Sequence, residues 1–307
     1  MGFRLIVLGC SGGPAENNLS GYLLAPSTSA NFIALDAGTL LSGIFKAVEQ
    51  QAFADIETED GKKLSQAEDI FIHQIKSYVI SHPHLDHIAG LVVNSQNDAP
   101  KTILGLDTTI DVIRDHLFNW KVWPNYGNEG NSPQVPLYKY LRLTVGEQTL
   151  IPDTKMKVEP FHLSHHKYPS TAFLIEYNDE YLLYFGDTGS DKLEKVNYLD
   201  TIWNRIAPLL AAGKLKGMLL ECSFPKHPAH KQLYGHLDTQ LFFEELHLLK
   251  AKVPFDALNG LKVVVTHMKA ELAASPDART IIRLELNTTN DLGIQLIYPQ
   301  QGMRINF

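Results

Sequence analysis

Four candidate metal ligands lie within six consecutive positions of the sequence. The stretch "SHPHLDH", residues 81–87, supplies them in the order His82, His84, Asp86 and His87. Apolar runs on both sides predict a strand that ends near Ser81 and a helix that begins around "IAGLVV". Imidazole and carboxylate groups bind zinc, which normally takes four ligands in a tetrahedron. Four groups this close in sequence cannot easily form one tetrahedron, so the spacing predicts two metal ions that receive further ligands from elsewhere.

Further histidine and aspartate candidates follow β-rich runs later in the chain, where a strand end can present a ligand. They are His162, His165 and His166 in "PFHLSHH", Asp187 in "YLLYFGD" and His267 in "KVVVTH". Asp36 ends another such run, "ALD". An acid there either orients a ligand histidine by accepting its second ring proton or belongs to a structural turn, and the sequence leaves both open.

The elements that must position these residues read as an α/β fold. Strand patterns include "FRLIVLG", "SYVIS", "TAFLIEY", "YLLYFGD", "GMLLEC" and "KVVVTH"; helical patterns include "LLSGIFKAVEQQAF", "TTIDVIRDHLFNW", "KVNYLDTIWNRIAPLLAA" and "DTQLFFEELHLLKA". Asn178 and Asp179 predict a hairpin turn, so part of the sheet should be antiparallel. We expect a single domain over residues 1–307, with surface insertions near 55–63 and 120–138. Trp120, Trp123 and Tyr126 of the second insertion either line a ligand cleft or anchor the loop.

The composition of the chain limits which kinds of binding partner and which cellular compartment are expected. The 307 residues carry a formal charge of -7 and no long basic block, which argues against sequence-independent nucleic-acid binding and favours a small-molecule partner. Two cysteines, Cys10 and Cys222, suit a reducing compartment. No apolar stretch approaches a membrane span, and "MGFRLIVLGC" reads as a first strand rather than a signal peptide. We therefore expect a cytoplasmic protein, or a periplasmic one if a signal peptide has been removed.

The cluster at residues 82–87 resembles the signature of the metallo-β-lactamase superfamily. The resemblance implies a four-layered αβ/βα sandwich and a binuclear metal site. It implies that one ion is bound by His82, His84 and His165, the other by Asp86, His87 and His267, and that Asp187 bridges them. The superfamily segment reads apolar-x-His at the strand exit, which matches "LSH" and favours His165 over His162 and His166. His166 stands where relatives are expected to have glycine.

Three other stretches resemble the class II cyclic-nucleotide phosphodiesterases over most of the chain. They are "LGCSGGP" with "ENNLSGYLL", "HLFNWKVWPN", and "ECSFP" followed by "LYGHLDT". The resemblance implies hydrolysis of 3',5'-cyclic nucleotides, cyclic AMP first among them, to 5'-monophosphates. It implies two divalent ions, zinc with manganese or iron as alternatives, and a metal-held hydroxide as the nucleophile. A homodimer is compatible with the sequence.

Three residues are candidates for proton transfer. His236 is placed where a related family of RNA-processing phosphodiesterases carries a proton-donating histidine, and it either has that role or bonds only backbone at a helix entry. Glu221 is placed to hold its ring. Asp86, besides binding metal, can accept the proton of the nucleophile. Cys222 lacks a matched histidine and acid pair, so we expect a buried structural cysteine. The glycines of "GCSGGP" either supply backbone N–H groups to a phosphate or form a tight turn.

Three alternative functions share the fold or the ligand set. A transfer-RNA 3'-processing endonuclease would need basic residues for RNA, and neither insertion is basic. A glyoxalase-type thioesterase would need a cationic groove for glutathione, which the sequence neither shows nor excludes. A sensor or scaffold without catalysis would be expected to have lost ligands, whereas all seven are present.

Overall fold

The chain divides into two compact units, each described here by itself. The computed structural model describes residues 2–57, 64–227, 233–272 and 276–307. The first unit comprises Met1–Cys10, Ala15–Val158 and Gln300–Asn306. The second comprises Ser11–Pro14, Glu159–Pro299 and Phe307. Among the described helices, none has the length and apolar character needed to cross a lipid bilayer.

The first unit is built on a seven-stranded sheet with the order β14-β1-β2-β3-β4-β5-β6. Its strands are β1 (Phe3–Gly9), β2 (Gly21–Pro26), β3 (Phe32–Ala37), β4 (Ile75–Val79), β5 (Lys101–Gly105), β6 (Tyr138–Arg142) and β14 (Arg304–Asn306). The pairs from β14 to β3 are antiparallel, and those from β3 to β6 are parallel. Strands β1 to β3 are buried along their whole length, which explains their nearly continuous apolar sequences.

The α-helices among the described residues of this unit are α1 (Leu41–Glu49), α2 (Gln66–Asp69), α3 (Leu85–Asn94) and α4 (Asp107–Val112). A capping box begins α2, since the side chains of Ser65 and Glu68 each accept a backbone N–H of the other residue. The predicted helix "TTIDVIRDHLFNW" is shorter than expected, because α4 gives way to a π-helical turn, Ile113–Leu117. In α3, Ile88 and Leu91 are fully buried and pack into the core.

The second predicted insertion, near 120–138, has no helix or strand before β6, while residues 58–63 of the first insertion lie outside the described residues. Trp123 and Tyr126 pack against the core of the first unit. The Trp123 indole also donates a hydrogen bond of 3.0 Å to the Ser95 hydroxyl. These contacts favour the interpretation that the aromatic rings anchor a long loop.

The second unit contains the sheet with the order β13-β12-β11-β10-β9-β8-β7. Its strands are β7 (Thr149–Leu150), β8 (Lys157–His165), β9 (Tyr168–Tyr177), β10 (Glu180–Phe185), β11 (Leu215–Glu221), β12 (Lys262–Thr266) and β13 (Gln295–Ile297). Both β7 and the first two residues of β8 belong to the first unit. Asn178 and Asp179 join β9 to β10 with φ angles of 50° and 64°, so the predicted hairpin is confirmed. Strands β10 to β13 are parallel.

The helices of the second unit are α5 (Asp191–Glu194), α6 (Tyr198–Ala211), α7 (Thr239–Lys250) and α8 (Ala278–Thr289). The sequence patterns predicted α6 and α7 but not α8. In α8 the buried positions Ala278, Ile282 and Leu286 form one narrow stripe at four-residue spacing. The rest of "ARTIIRLELNTT" is largely polar, so this stripe gave too weak a pattern to predict a helix.

A buried carboxyl group on α7 joins three of these helices. The Glu245 carboxylate accepts hydrogen bonds from the Asp191 N–H (3.1 Å) and from the Trp203 indole N–H (3.3 Å). Burial, the largest influence, raises the pKa of Glu245 to about 7, and the nearby Asp191 carboxylate adds to this effect. Glu245 therefore changes its charge near neutral pH.

We expect the free energy of unfolding to fall by about 2 kcal/mol between pH 5 and pH 8 because of Glu245. The folded chain keeps the Glu245 proton up to about pH 7, whereas the unfolded chain releases it near the ordinary glutamate pKa. The native state thus binds more protons across this window, and its stability declines as pH rises. Urea titrations of wild type and Glu245→Gln at both pH values measure this, and the variant should have the flatter pH dependence. Glu244→Gln is the control; an unchanged slope in Glu245→Gln would contradict the prediction.

Candidate metal centre

The first donor group consists of His82, His84, Asp86 and His87, all in the first unit. Strand β4 ends at Val79, and α3 begins at Leu85, three residues earlier than the sequence pattern predicted. His84 is therefore the residue that precedes the helix, and Asp86 and His87 lie in its first turn. An acidic residue in the first turn is stabilised by the helix dipole. The loop and the helix start thus present the four side chains from two different backbone conformations.

Asp36, at the end of β3, orients the histidines of this group. Its carboxylate accepts the His87 Nδ1 proton at 2.7 Å and both the backbone N–H and the hydroxyl of Ser81, each at 2.7 Å. The Ser81 oxygen in turn lies 3.0 Å from His82 Nδ1 and can accept its proton. In this arrangement Nε2 of each ring carries the lone pair that binds a cation. The geometry favours the orienting role for Asp36 over a purely structural turn.

The donor atoms of the first group fall into two pairs. His82 Nε2 and His84 Nδ1 are 3.1 Å apart, and Asp86 Oδ2 is 4.0 Å from His87 Nε2. Two nitrogens that share a tetrahedral zinc would be separated by about 3.3 Å, given the usual zinc to nitrogen distance. The donor set and the spacing of the first pair therefore fit a divalent cation.

The second donor group consists of His165, Asp187 and His267, all in the second unit. The parallel strands β10, β11 and β12 end at the same sheet edge, so the residues at or just after their carboxyl ends meet there. Asp187 Oδ2 lies 3.3 Å from His267 Nε2 and 3.8 Å from His165 Nε2. One carboxylate oxygen is thus within reach of a cation bound by either imidazole, and all three side chains are buried.

Of the three histidines in "PFHLSHH", only His165 faces this edge. Its Nδ1 lies 2.9 Å from the Gly235 carbonyl oxygen, which orients Nε2 towards Asp187. His162 and His166 are exposed, and the His162 ring lies 5.6 Å from the ring of Tyr198. His166 has a φ of 54°, in the left-handed region that glycine adopts most easily. This backbone conformation explains the expectation of glycine at that position.

Glu221, the last residue of β11, is the centre of a hydrogen-bond network in the second unit. Its carboxylate accepts His236 Nδ1 at 2.7 Å, the Thr188 N–H at 2.9 Å and the Ser223 hydroxyl at 2.6 Å. The Ser223 oxygen also lies 3.0 Å from His267 Nδ1, which leaves Nε2 of that ring available to a cation. The alternative that His236 bonds only backbone is wrong, and His236 lies just before α7 rather than in its first turn.

The pKa of Glu221 in this network depends on its burial and on the neighbouring His236 imidazole. Burial, the largest influence, acts to raise the pKa of Glu221, but the charge of His236 and its hydrogen bond outweigh burial and hold that pKa below its usual value. Burial also raises the pKa of the Cys222 thiol well above its ordinary value. Cys222 therefore stays protonated, which agrees with the prediction of a structural cysteine rather than a nucleophile.

The glycine turn "GCSGGP" passes close to the second donor group. A side chain on Gly12 would place its Cβ 2.5 Å from Cε1 of the His267 ring, so only glycine fits. Gly12 lines a groove with a volume of about 730 Å³ together with Gly13, Pro14 and residues 269–272. The close approach to His267 explains the glycine at this position without any contact to a phosphate.

Sequence patterns suggested Asp36 as an orienting residue but missed two serines that contact proposed ligand histidines. Ser81 and Ser223 each lie 3.0 Å from Nδ1 of a candidate ligand histidine. Their only sequence signal is that Ser81 is next to His82 and that Ser223 is two residues from Glu221. The two donor groups contain imidazole and carboxylate but no thiolate, a set that accepts zinc, manganese or iron. Both groups therefore fit divalent metal.

A family model described as class-II cAMP phosphodiesterases matches residues 3–302. The chain belongs to this family. Two relatives are the probable 3',5'-cyclic-nucleotide phosphodiesterase of Yersinia pestis, 38% identical over 301 residues, and the 3',5'-cyclic-nucleotide phosphodiesterase of Aliivibrio fischeri, 36% identical over 306 residues. These alignments cover 98% and 99% of this chain, and 88% and 93% of the relatives.

Solved structures resemble this chain over nearly its whole length. Unliganded yeast PDE1 matches with a TM-score of 0.88 and 26% identity, over 100% of this chain and 99% of that chain. The metallo-β-lactamase fold protein YhfI of Bacillus subtilis matches with a TM-score of 0.62 and 15% identity, over 99% of each chain. The second match shows the fold alone. The predicted family and the predicted metallo-β-lactamase type of fold are both confirmed.

Proposed function

We propose that this protein hydrolyses 3',5'-cyclic nucleotides, cyclic AMP in particular, to 5'-nucleoside monophosphates. The observation that carries the proposal is the class-II family match over residues 3–302. The relatives of Yersinia pestis and Aliivibrio fischeri are named for this activity, and the alignments cover 88% and 93% of their chains. The rival endonuclease and thioesterase functions have no comparable support. The substrate is therefore a small anionic molecule rather than a nucleic acid.

The proposed metal site uses the two donor groups together. His82, His84 and His165 bind one divalent ion, Asp86, His87 and His267 bind the other, and Asp187 binds both. The pairing of His82 with His84, and the position of Asp187 Oδ2 near both His165 and His267, support this division. Zinc is the first choice, with manganese or iron as alternatives. When bound, such ions neutralise phosphoryl oxygens and lower the pKa of water, which provides a nucleophile at neutral pH.

The residues of the chain itself supply proton transfer. The departing ribose oxygen needs a proton, and His236 is proposed to donate it from Nε2 while Glu221 holds Nδ1. The short contact of 2.7 Å between His236 and Glu221 supports this assignment. Asp86 is proposed to accept a proton from the attacking water in addition to binding metal. Catalysis thus divides between a proton donor and a proton acceptor.

We place the protein in the cytoplasm. Neither Cys10 nor Cys222 forms a disulfide, and both are buried. Reduced cysteines are typical of the cytosol.

We expect the purified protein to convert cyclic AMP to AMP, and a chelator to lower the rate at least about 100-fold, because the Lewis acids are then removed. Zinc added back after the chelator should restore the rate, which controls for irreversible damage. The measurement is chromatographic separation of AMP from cyclic AMP over time. Precursor transfer RNA and an acyl-glutathione serve as rival substrates. Cleavage of either one without hydrolysis of cyclic AMP would refute the proposed function.

A further inference from the structure

Glu194, the last residue of α5, contacts both residues that flank His165. Its Oε2 accepts a hydrogen bond of 2.8 Å from the Ser164 hydroxyl and one of 3.1 Å from the backbone N–H of His166. Neither donor is close to Glu194 in sequence, so these are tertiary contacts. A single carboxylate oxygen therefore holds the side chain of one neighbour and the backbone of the other neighbour of a proposed metal ligand.

The same side chain packs against the loop that follows Asp187. A Cβ built on Gly189 would lie 2.6 Å from Glu194 Cγ, so glycine is required for the close approach. The Gly189 N–H also donates a hydrogen bond of 2.8 Å to the Ser164 carbonyl oxygen. Glu194 thus occupies the space between the loop of His165 and the loop of Asp187, which begins two residues before Gly189.

The turn at His166 needs this support because its backbone is strained. A non-glycine residue in the left-handed region costs about 1 kcal/mol or more, and the φ of His166 is 54°. On the opposite side the turn rests on Gly235, where a Cβ would lie 2.2 Å from the His166 nitrogen. The Gly235 carbonyl also accepts the ring proton of His165 at 2.9 Å. The turn is therefore held between Gly235 and Glu194.

The short helix α5, which carries Glu194, is itself held in place. The Ser190 side chain caps the first turn of α5, and the Asp191 N–H donates to the Glu245 carboxylate of α7 at 3.1 Å. Helix α5 is consequently tied to a longer helix, so the carboxylate at its end has a defined position.

We infer that Glu194 is a positioning residue that holds His165 and Asp187 at the spacing required to bind one metal ion. The two ligand atoms, His165 Nε2 and Asp187 Oδ2, are 3.8 Å apart. The inference rests on the proposed function only in taking these two residues as ligands. Glu194 acts through backbone and loop packing. Mutation of a residue that orients a metal ligand typically lowers metal affinity or activity by about 10- to 100-fold.

The test compares three variants of the full-length, zinc-loaded protein. We expect Glu194→Ala to bind zinc about 10-fold more weakly, measured by competition with a chelator of known affinity. We expect kcat for cyclic AMP to fall by a similar factor, with little change in KM. Glu194→Gln keeps an oxygen of the same reach for both donors, so it should stay within about three-fold of wild type. Lys192→Ala changes an exposed residue of the same helix and is the matched control.

The inference would be overturned if Glu194→Ala bound zinc as tightly as wild type and only its melting temperature fell. Glu194 would then have a merely structural role. Equal damage in Glu194→Gln and Glu194→Ala would overturn it too. If Glu194→Ala fails to fold, Ser164→Ala removes one of the two donors and should weaken zinc binding by a smaller factor; unchanged affinity there also counts against Glu194. A wild-type protein that binds zinc without hydrolysing cyclic AMP would refute the proposed function and leave this inference standing.

Discussion

Replacement of Asp187 by alanine is expected to remove metal and to lower cyclic AMP hydrolysis by at least about a thousand-fold, a loss of about 4 kcal/mol in transition-state stabilisation. Its carboxylate oxygen lies 3.3 Å from His267 Nε2 and 3.8 Å from His165 Nε2. The substitution therefore removes a ligand from both proposed ions. The two imidazoles would then lack the anion that both proposed ions share. The measurements are metal content by elemental analysis and the rate of AMP formation.

A control separates this effect from a general loss of surface charge. Asp200→Asn removes an exposed carboxylate of α6 that pairs with Lys252 at 2.7 Å, and it should retain both metal and activity. Circular dichroism should show that Asp187→Ala keeps its secondary structure. A folded Asp187→Ala protein with two ions per chain would exclude the bridging role.

Replacement of His236 by alanine is expected to keep the metal content and to lower kcat by about 100- to 10,000-fold, the usual range for a lost general acid. His236 is held by Glu221 at 2.7 Å and is buried, so its ring has one fixed orientation. Metal content matters here because ligand-type atoms of Glu221, His236 and His267 lie within 4.8 Å of one another. Loss of metal would identify His236 as a ligand instead.

A substrate with a better leaving group sharpens this prediction. A nitrophenyl phosphodiester releases an anion that departs without a proton, so His236→Ala should lose much less activity on it than on cyclic AMP. Glu221→Gln should lie between wild type and His236→Ala, because it weakens the hold on the ring without removing it. Equal losses on both substrates would argue against proton donation by His236.

The proposed ligands could be singled out from the sequence because they follow apolar runs that end at a sheet edge. His267 comes directly after β12 and Asp187 two residues after the end of β10, and local alternation is enough to find such places. Asp36 was a candidate for an orienting role, but two other supporting residues were not predicted. Glu194 is 30 residues from Ser164, and Ser223 is 44 from His267. Hydrogen bonds across such separations depend on tertiary packing, which periodicity does not report.

Local boundaries were less predictable than strand ends. Helix α3 begins at Leu85 because His84 can adopt the extended conformation of a residue before a helix, with φ of -66° and ψ of 147°. The apolar pattern of "IAGLVV" marks only where burial starts, not where the helix starts. Asp86 and His87 thus lie on a helix although their sequence context suggested a loop.

The left-handed backbone at Asp36, His166 and His267 bears on any effort to make this protein more resistant to heat. Glycine relieves such strain, and two of the three positions cannot accept it because their side chains are used, one to orient His87 and one as a proposed ligand. Within the described part of the chain, His166 contributes its backbone N–H, which glycine also has. Heat resistance and activity therefore compete at two of these positions and are separable at the third.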